Sequence, residues 1–515
     1  MILAIGGASD GQLGVGVRDR DVLQPHALAL PASDDGVMMV SSSLRHLLAC
    51  TASGVCLSAG SNSDEQLGRE PRRATQLRPV ASLSTHVIRQ VAAGDRFSLA
   101  LSDSGRLFSW GANAYGQLGV GDAKPRPRPR PVRFDSSALR ICQVAAGNRH
   151  ALCLSESGAA YAWGCSHSGQ IGHATCVSSL RPVLLEALSG CAPASIAVGG
   201  DHSVVRTAAG RLYSWGSNVH GQLCLGDEER IHFRCELVRC AGAVTAVDVA
   251  CGKHHTAVVS STGAVLTAGS NARGQLGREA SEPRDRNRLQ AVQMRHHGRA
   301  LGVACGDYHT LVLVRDEESG RTKVISFGLG ASGQLGHKAR EAAARDGARR
   351  TFVRVPRAVH LPDATARGER ATALWAGGNG SWFAMSSAED ASAAAMTKEA
   401  SEAASSHFMT LRSLKALLTK LAALAVAADA PLGASGELRL SDAARERRAA
   451  RLVEQKSSAL AAARLAIDRC FSSVSILNAS FCASSCADEH APLSRSRRRV
   501  SVCSAENASS IACAR

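Results

Sequence analysis

Val91-Ala92-Ala93-Gly94-Asp95-Arg96-Phe97, the apolar run Ser98-Leu99-Ala100-Leu101, a turn at Gly105, a second run Leu107-Phe108-Ser109-Trp110, and then Gly116-Gln117-Leu118-Gly119: this stretch decides the fold, because the chain repeats it. The opening returns as Val144-Ala145-Ala146-Gly147-Asn148-Arg149-His150, as Val249-Ala250-Cys251-Gly252-Lys253-His254-His255 and as Val303-Ala304-Cys305-Gly306-Asp307-Tyr308-His309. The tetrapeptide, or a near variant, places its Gln at Gln12, Gln66, Gln117, Gln170, Gln222, Gln275 and Gln334, with gaps of 54, 51, 53, 52, 53 and 59 residues. Chance does not produce that spacing, and a fixed period of this length signals a repeat architecture.

Within each unit the apolar runs are short and bounded by turn residues, the pattern of strands. The second run alternates: Phe108 and Trp110, Tyr161 and Trp163, and Tyr213 and Trp215 share one face, with Ser109, Ala162 and Ser214 between them. Period two with large and small residues alternating predicts a strand packed between neighbouring sheets. The Leu of the tetrapeptide reads as a plug between units. Units of about 50 residues with four short strands predict a β-propeller. Six copies run from Val37 to Arg370, and two half-copies remain. One is Leu374 to Met385 and the other Met1 to Gly14. Joined, they make a seventh blade that closes the ring and removes open sheet edges. The expected class is therefore an all-β seven-bladed propeller over residues 1–388, followed by a linker (389–405) and an α-helical and partly disordered tail (406–515).

Five units carry a His after the opening glycine: His46, His150, His202, His255 and His309, with Phe97 and Ser381 read as filling the slot elsewhere. One His per unit does not converge on an ion as zinc requires, so these read as hydrogen-bonded structural histidines. Gly328-Leu329-Gly330-Ala331-Ser332-Gly333 fits a dinucleotide fingerprint but belongs to a repeat turn and opens no helix. No catalytic residue, cofactor or metal site is expected.

The repeats resemble the regulator of chromosome condensation family of seven-bladed propellers. A second resemblance lies in the tail. Phe471-Ser472-Ser473, Leu477-Asn478-Ala479-Ser480-Phe481 and Asp488-Glu489-His490 look like the segment that follows the propeller in the smaller HECT-type ubiquitin ligases. The resemblance implies a protein-binding scaffold, the substrate- or partner-recruiting part of such a ligase. The HECT domain with its thioester-forming Cys is absent before Arg515, which leaves enzymatic activity open. The alternative is a guanine-nucleotide exchange factor for a Ran-like small GTPase, as the founding member implies. Repeat gaps of 51 to 54 residues leave little room for a wedge in the early blades.

Composition bounds the partners. The chain has 515 residues, 45% apolar, with a net charge of +16. That charge favours acidic partners. Aromatics are only 4%, which argues against a base-stacking platform and makes direct nucleic-acid binding an unfavoured reading. The strip Lys124-Pro125-Arg126-Pro127-Arg128-Pro129-Arg130-Pro131 reads as an extended polyproline-like ribbon: a solvated loop between strands, or a contact for an acidic partner through Arg126, Arg128 and Arg130. Lys338 to Arg350 reads as a basic surface helix or flexible loop.

In the tail, Leu411, Leu414, Leu418, Leu421 and Ala425 predict one helix, and Ser441 caps another from Asp442 to Asp468. Cys482, Cys486 and His490 form a weak metal pattern, and Arg495 to Arg499 a basic run. No CxxC pair, secretory signal or long apolar span occurs, so a cytoplasmic location is expected, with the nucleus left open by the basic run.

Overall fold

A computed structural model describes residues 1–386, except 18–19, 29, 32–35, 71–72, 240–243, 280–285, 295–296, 338–351 and 362–369. The expected basic loop at Lys338 to Arg350, the linker, the tail helices, the ligase-like segment 470–490 and the Cys482–Cys486–His490 pattern lie outside the described residues.

Seven four-stranded antiparallel sheets make a seven-bladed propeller. Blade one holds the strands Val37–Ser42, His46–Thr51, Cys56–Ser61 and Arg73–Pro79, counted from the axis outward. Blades two to six repeat that order, starting at Ile88, Ile141, Pro193, Ala246 and Arg299. Blade seven is assembled from both ends of the chain, in the order Arg370–Gly377, Gly380–Ser386, Ile2–Gly6, Val22–Ala27. The pair Leu3↔Phe383 sits mid-strand, and the Met1 ammonium donates to Met385 O at 2.9 Å.

The second strand of each blade lies between neighbours on both faces, which explains its uninterrupted apolar run: all six residues of His46–Thr51, Phe97–Ser102 and His150–Ser155 are buried. The core is divided among the blade interfaces. Between blades one and two, Leu48, Cys50, Val80, Leu83, Val91, Phe108 and Trp110 pack together. The tetrapeptide leucines are buried to the same degree, Leu67, Leu118, Leu223 and Leu276 at 0% exposure.

Polar atoms lock this stack in a repeated lattice. His46 Nε2 lies 2.8 Å from Ser98 Oγ of the next blade, and Ser98 Oγ donates to Gln66 O at 2.7 Å. Trp110 Nε1 donates to the same carbonyl at 2.8 Å. The imidazole–hydroxyl–carbonyl relay recurs as His150–Ser203–Gln170, His202–Thr256–Gln222, His255–Thr310–Gln275 and His309–Ser381–Gln334. Because each hydroxyl proton goes to the carbonyl, Nε2 of each imidazole carries a proton, and burial, which lowers all five pKa values, keeps the rings neutral.

One reading is corrected by this register. Ser381 does not occupy the histidine slot; it is the hydroxyl partner of His309, and Gly380, paired with Gly6, holds the slot in blade seven. The small residue between the aromatic positions does more than fit. Ser58, Ser109, Ser214, Thr267 and Ser326 each donate to the carbonyl of the Leu nine residues on, which fixes the tetrapeptide turn to its own blade.

Candidate functional site

The innermost strands carry small residues toward the axis and leave a cavity of about 830 Å³ along it. Ala92, Ala145, Ala197, Ala250 and Ala304 line the wall, with the indole of Trp375 the largest group. The loops that join first and second strands form one mouth. In blades two to six the loop is pinned from below by its slot residue: a Cβ on Gly252 would lie 2.1 Å from His255 Cε1 and 2.5 Å from Gly306 O, so only glycine lets the loop close over the ring.

Adjacent loops also bond to one another through the backbone. Asn148 N donates to Gly200 O, Gly200 N to Lys253 O, Lys253 N to Asp307 O and Asp307 N to Gly378 O, at 2.9–3.2 Å. The mouth is thus backbone-bonded as a continuous arc across blades three to seven.

Charge alternates around it. Arg45 and Arg96 pair with Asp95 at 4.0 and 3.5 Å, and Arg96 also reaches Asp64 at 3.5 Å. Arg149 stands over the Tyr115 ring at 4.9 Å and 3.7 Å from Asp201. Lys253 lies 5.7 Å over Tyr308, whose ring neighbours His254, and His254 neighbours His220 at 4.9 Å. Burial pushes the His254 pKa down to about 4, with the His220 and Lys253 charges adding to it. Burial lifts the Asp307 carboxyl, the Asp95 charge adds to the rise, and Lys253 opposes it. The thiols of Cys251 and Cys305 line the cavity, and burial raises both, so neither is a thiolate at neutral pH.

What this arrangement can do is hold a polar surface. Paired charges, two tyrosines and imidazoles around this mouth offer hydrogen bonds and ion pairs to a protein partner. Among the described residues no group of three or more His, Cys, Asp or Glu is placed to hold a metal. The five slot histidines lie one to a blade, each with 0% exposure, and contribute architecture. The mouth itself was not singled out from the sequence. Its one linear signal is the charged or polar pair after each opening glycine, as in Asp95-Arg96 and Asn148-Arg149.

Arg126, Arg128 and Arg130 are placed elsewhere. The strip is not a loop: Arg126–Pro131 is the outermost strand of blade two, paired with Leu107–Gly111. The sequence reading failed there because proline usually excludes strand, yet it tolerates an edge. Arg126 pairs with Asp122 at 2.5 Å, while Arg128 and Arg130 are exposed.

A family model described as an RCC1-like domain matches residues 1–383. The human protein described as probable E3 ubiquitin-protein ligase HERC6 is 32% identical over 62% of this chain and 30% of its own length. The chain thus spans about a third of that ligase relative. The mouse secretion-regulating guanine nucleotide exchange factor is 32% identical over 65% of this chain and 75% of its own. Among solved structures, yeast RCC1 (Prp20) bound to Kap60 superposes with a TM-score of 0.65 at 21% identity, covering 77% of this chain and 92% of that one.

Proposed function

The chain belongs to the RCC1-like domain family, and from that premise we propose that it is a protein-recruiting propeller, the substrate- or partner-binding part of a HECT-type ubiquitin ligase system. The observation that carries the reading is the mouth: alternating charges and aromatic faces on a backbone-bonded arc of blades three to seven. Pre-set polar groups of this kind give specificity to a protein interface at little ordering cost. Burial keeps the Cys251 and Cys305 thiols at the cavity protonated, which suits recruitment rather than transfer. The relatives include a ubiquitin ligase and an exchange factor at the same 32% identity, so the reading rests on the mouth and not on the identity.

A second reading, guanine-nucleotide exchange on a Ran-like GTPase, is favoured by one observation: the match to the mouse exchange factor covers 75% of that relative. Exchange needs an element that wedges open the nucleotide site. Blades two to four join their third and fourth strands through the tetrapeptide turn, as between Gly111 and Arg126, and carry no extra hairpin among the described residues. The test is release of fluorescent GDP from a Ran-type GTPase with catalytic amounts of the chain. The recruiting reading expects an unchanged release rate. Salt-resistant acceleration would replace it with the exchange reading.

A further inference from the structure

The outermost strand of blade two, Arg126-Pro127-Arg128-Pro129-Arg130-Pro131, is not used by the mouth. An edge strand ordinarily offers unpaired N–H and C=O groups to a further strand. Here three residues of six lack an N–H, so the edge is a poor template for strand addition. Its register slips between Arg126 and Arg130, so that the residues between them bulge past the partner strand. Arg126 is held inward by Asp122 and by the carbonyls of Lys124 and Pro125 at 2.7 and 3.1 Å. Arg128 and Arg130 are exposed, and neither guanidinium has a carboxylate partner among the described residues. Lys124 and Arg133 flank them, also exposed.

We propose that this strand is a docking strip for an extended acidic protein segment, which it holds through arginine side chains. The strip goes beyond the mouth reading and stands even if the mouth binds nothing. Three features point to this occupant. The Cα atoms of Arg128 and Arg130 are at most about 7 Å apart along the chain, which matches the ~6.8 Å between alternate side chains of an extended peptide. Guanidinium forks bind carboxylates in two-point fashion. The flanking prolines fix φ beforehand, so little backbone freedom is lost on binding. Nucleic acid is disfavoured because the nearby aromatics, Phe134 and Tyr161, are half-buried and locked edge to face at 5.6 Å, leaving no ring for a base to stack on.

The experiment uses the full chain and a short labelled peptide alternating Glu and Ser, with a single-stranded oligonucleotide of equal charge as competitor. Three proteins are compared: the parent, Arg128→Glu/Arg130→Glu, and a control with the same charge change on exposed arginines of blade four, Arg211→Glu/Arg239→Glu. Equal melting temperatures establish that all three are folded. The expected result is peptide binding weakened about tenfold or more by the strip variant, as lost charge-assisted hydrogen bonds require, with the control close to the parent. No binding by the parent, or equal weakening by both variants, overturns the proposal, the latter because net charge would then be responsible. An oligonucleotide that displaces the peptide and loses its own affinity only in the strip variant also overturns it, in favour of nucleic acid.

Discussion

Mild acid should unfold this propeller, and most of the loss should trace to five fully buried imidazoles. Burial holds His46, His202 and His255 down at about 3, and holds His150 and His309 down at about 4, against an ordinary 6.5. The unfolded chain takes up a proton on each near 6.5, and the folded chain does not. The stability from these neutral rings is therefore whole above about pH 7.5 and is lost as pH falls through 6.5 toward the folded values. At pH 5 each ring costs about 2 kcal/mol, so five cost on the order of 10 kcal/mol, comparable with the whole stability of a typical domain. The structure also supplies the control. Where blade two has Phe97 in the slot, the facing residue of blade three is Ala151 and not a hydroxyl. Copying that pair as His202→Phe/Thr256→Ala and His255→Phe/Thr310→Ala removes two of the five titrating sites. Urea unfolding followed from about pH 7.5 to 5 should show the steepest loss in the parent and a clearly shallower slope in the variant, by at most about two-fifths because His254, also lowered, still titrates. An equal slope in both proteins refutes the assignment of acid lability to the slots.

Gly252→Ala should destabilise by about 1–3 kcal/mol, since its Cβ meets the His255 ring and a carbonyl; chemical denaturation reads this. Glu65→Gly should stabilise by about 0.5–1 kcal/mol, because Glu65 sits at φ 65° where all six other copies of the turn have glycine; the check is the same titration. Deleting residues 1–14 should strip the outer half of blade seven and cost cooperative melting, visible by calorimetry, whereas an unchanged melting curve contradicts the split blade. In native alkylation followed by peptide mapping, exposed Cys142 and Cys176 should react while buried Cys50, Cys56 and Cys153, whose pKa values burial raises, stay unmodified until unfolding.

The repeat made the blades legible because each strand and turn is specified locally, by alternation and by the Gly-Gln-Leu-Gly spacing. The relay was half legible. Histidine in one unit is matched by Ser or Thr one position further in the next, as His150 with Ser203, and the pairing lapses together at Phe97 with Ala151 and at Gly380 with Leu47. Reading units singly hides this, since the bond crosses between blades, and so Ser381 was placed one residue out of register. The mouth was less legible still. Arg149 meets Asp201 and His254 meets His220 only because closing the ring brings turns of different blades together. The Arg-Pro strip was misjudged as a loop because an edge position, which makes proline tolerable, is a property of the sheet and not of the segment.

The measurement closest to the central claim is quantitative affinity capture by the intact chain against the mouth variant Arg149→Glu/Lys253→Glu, with equal melting temperatures required of both. Recruitment through the ring predicts a defined set of proteins held by the parent and lost from the variant, each rebinding in purified form to the parent alone. The same proteins held equally by both would contradict it, and would move the binding surface away from the channel mouth.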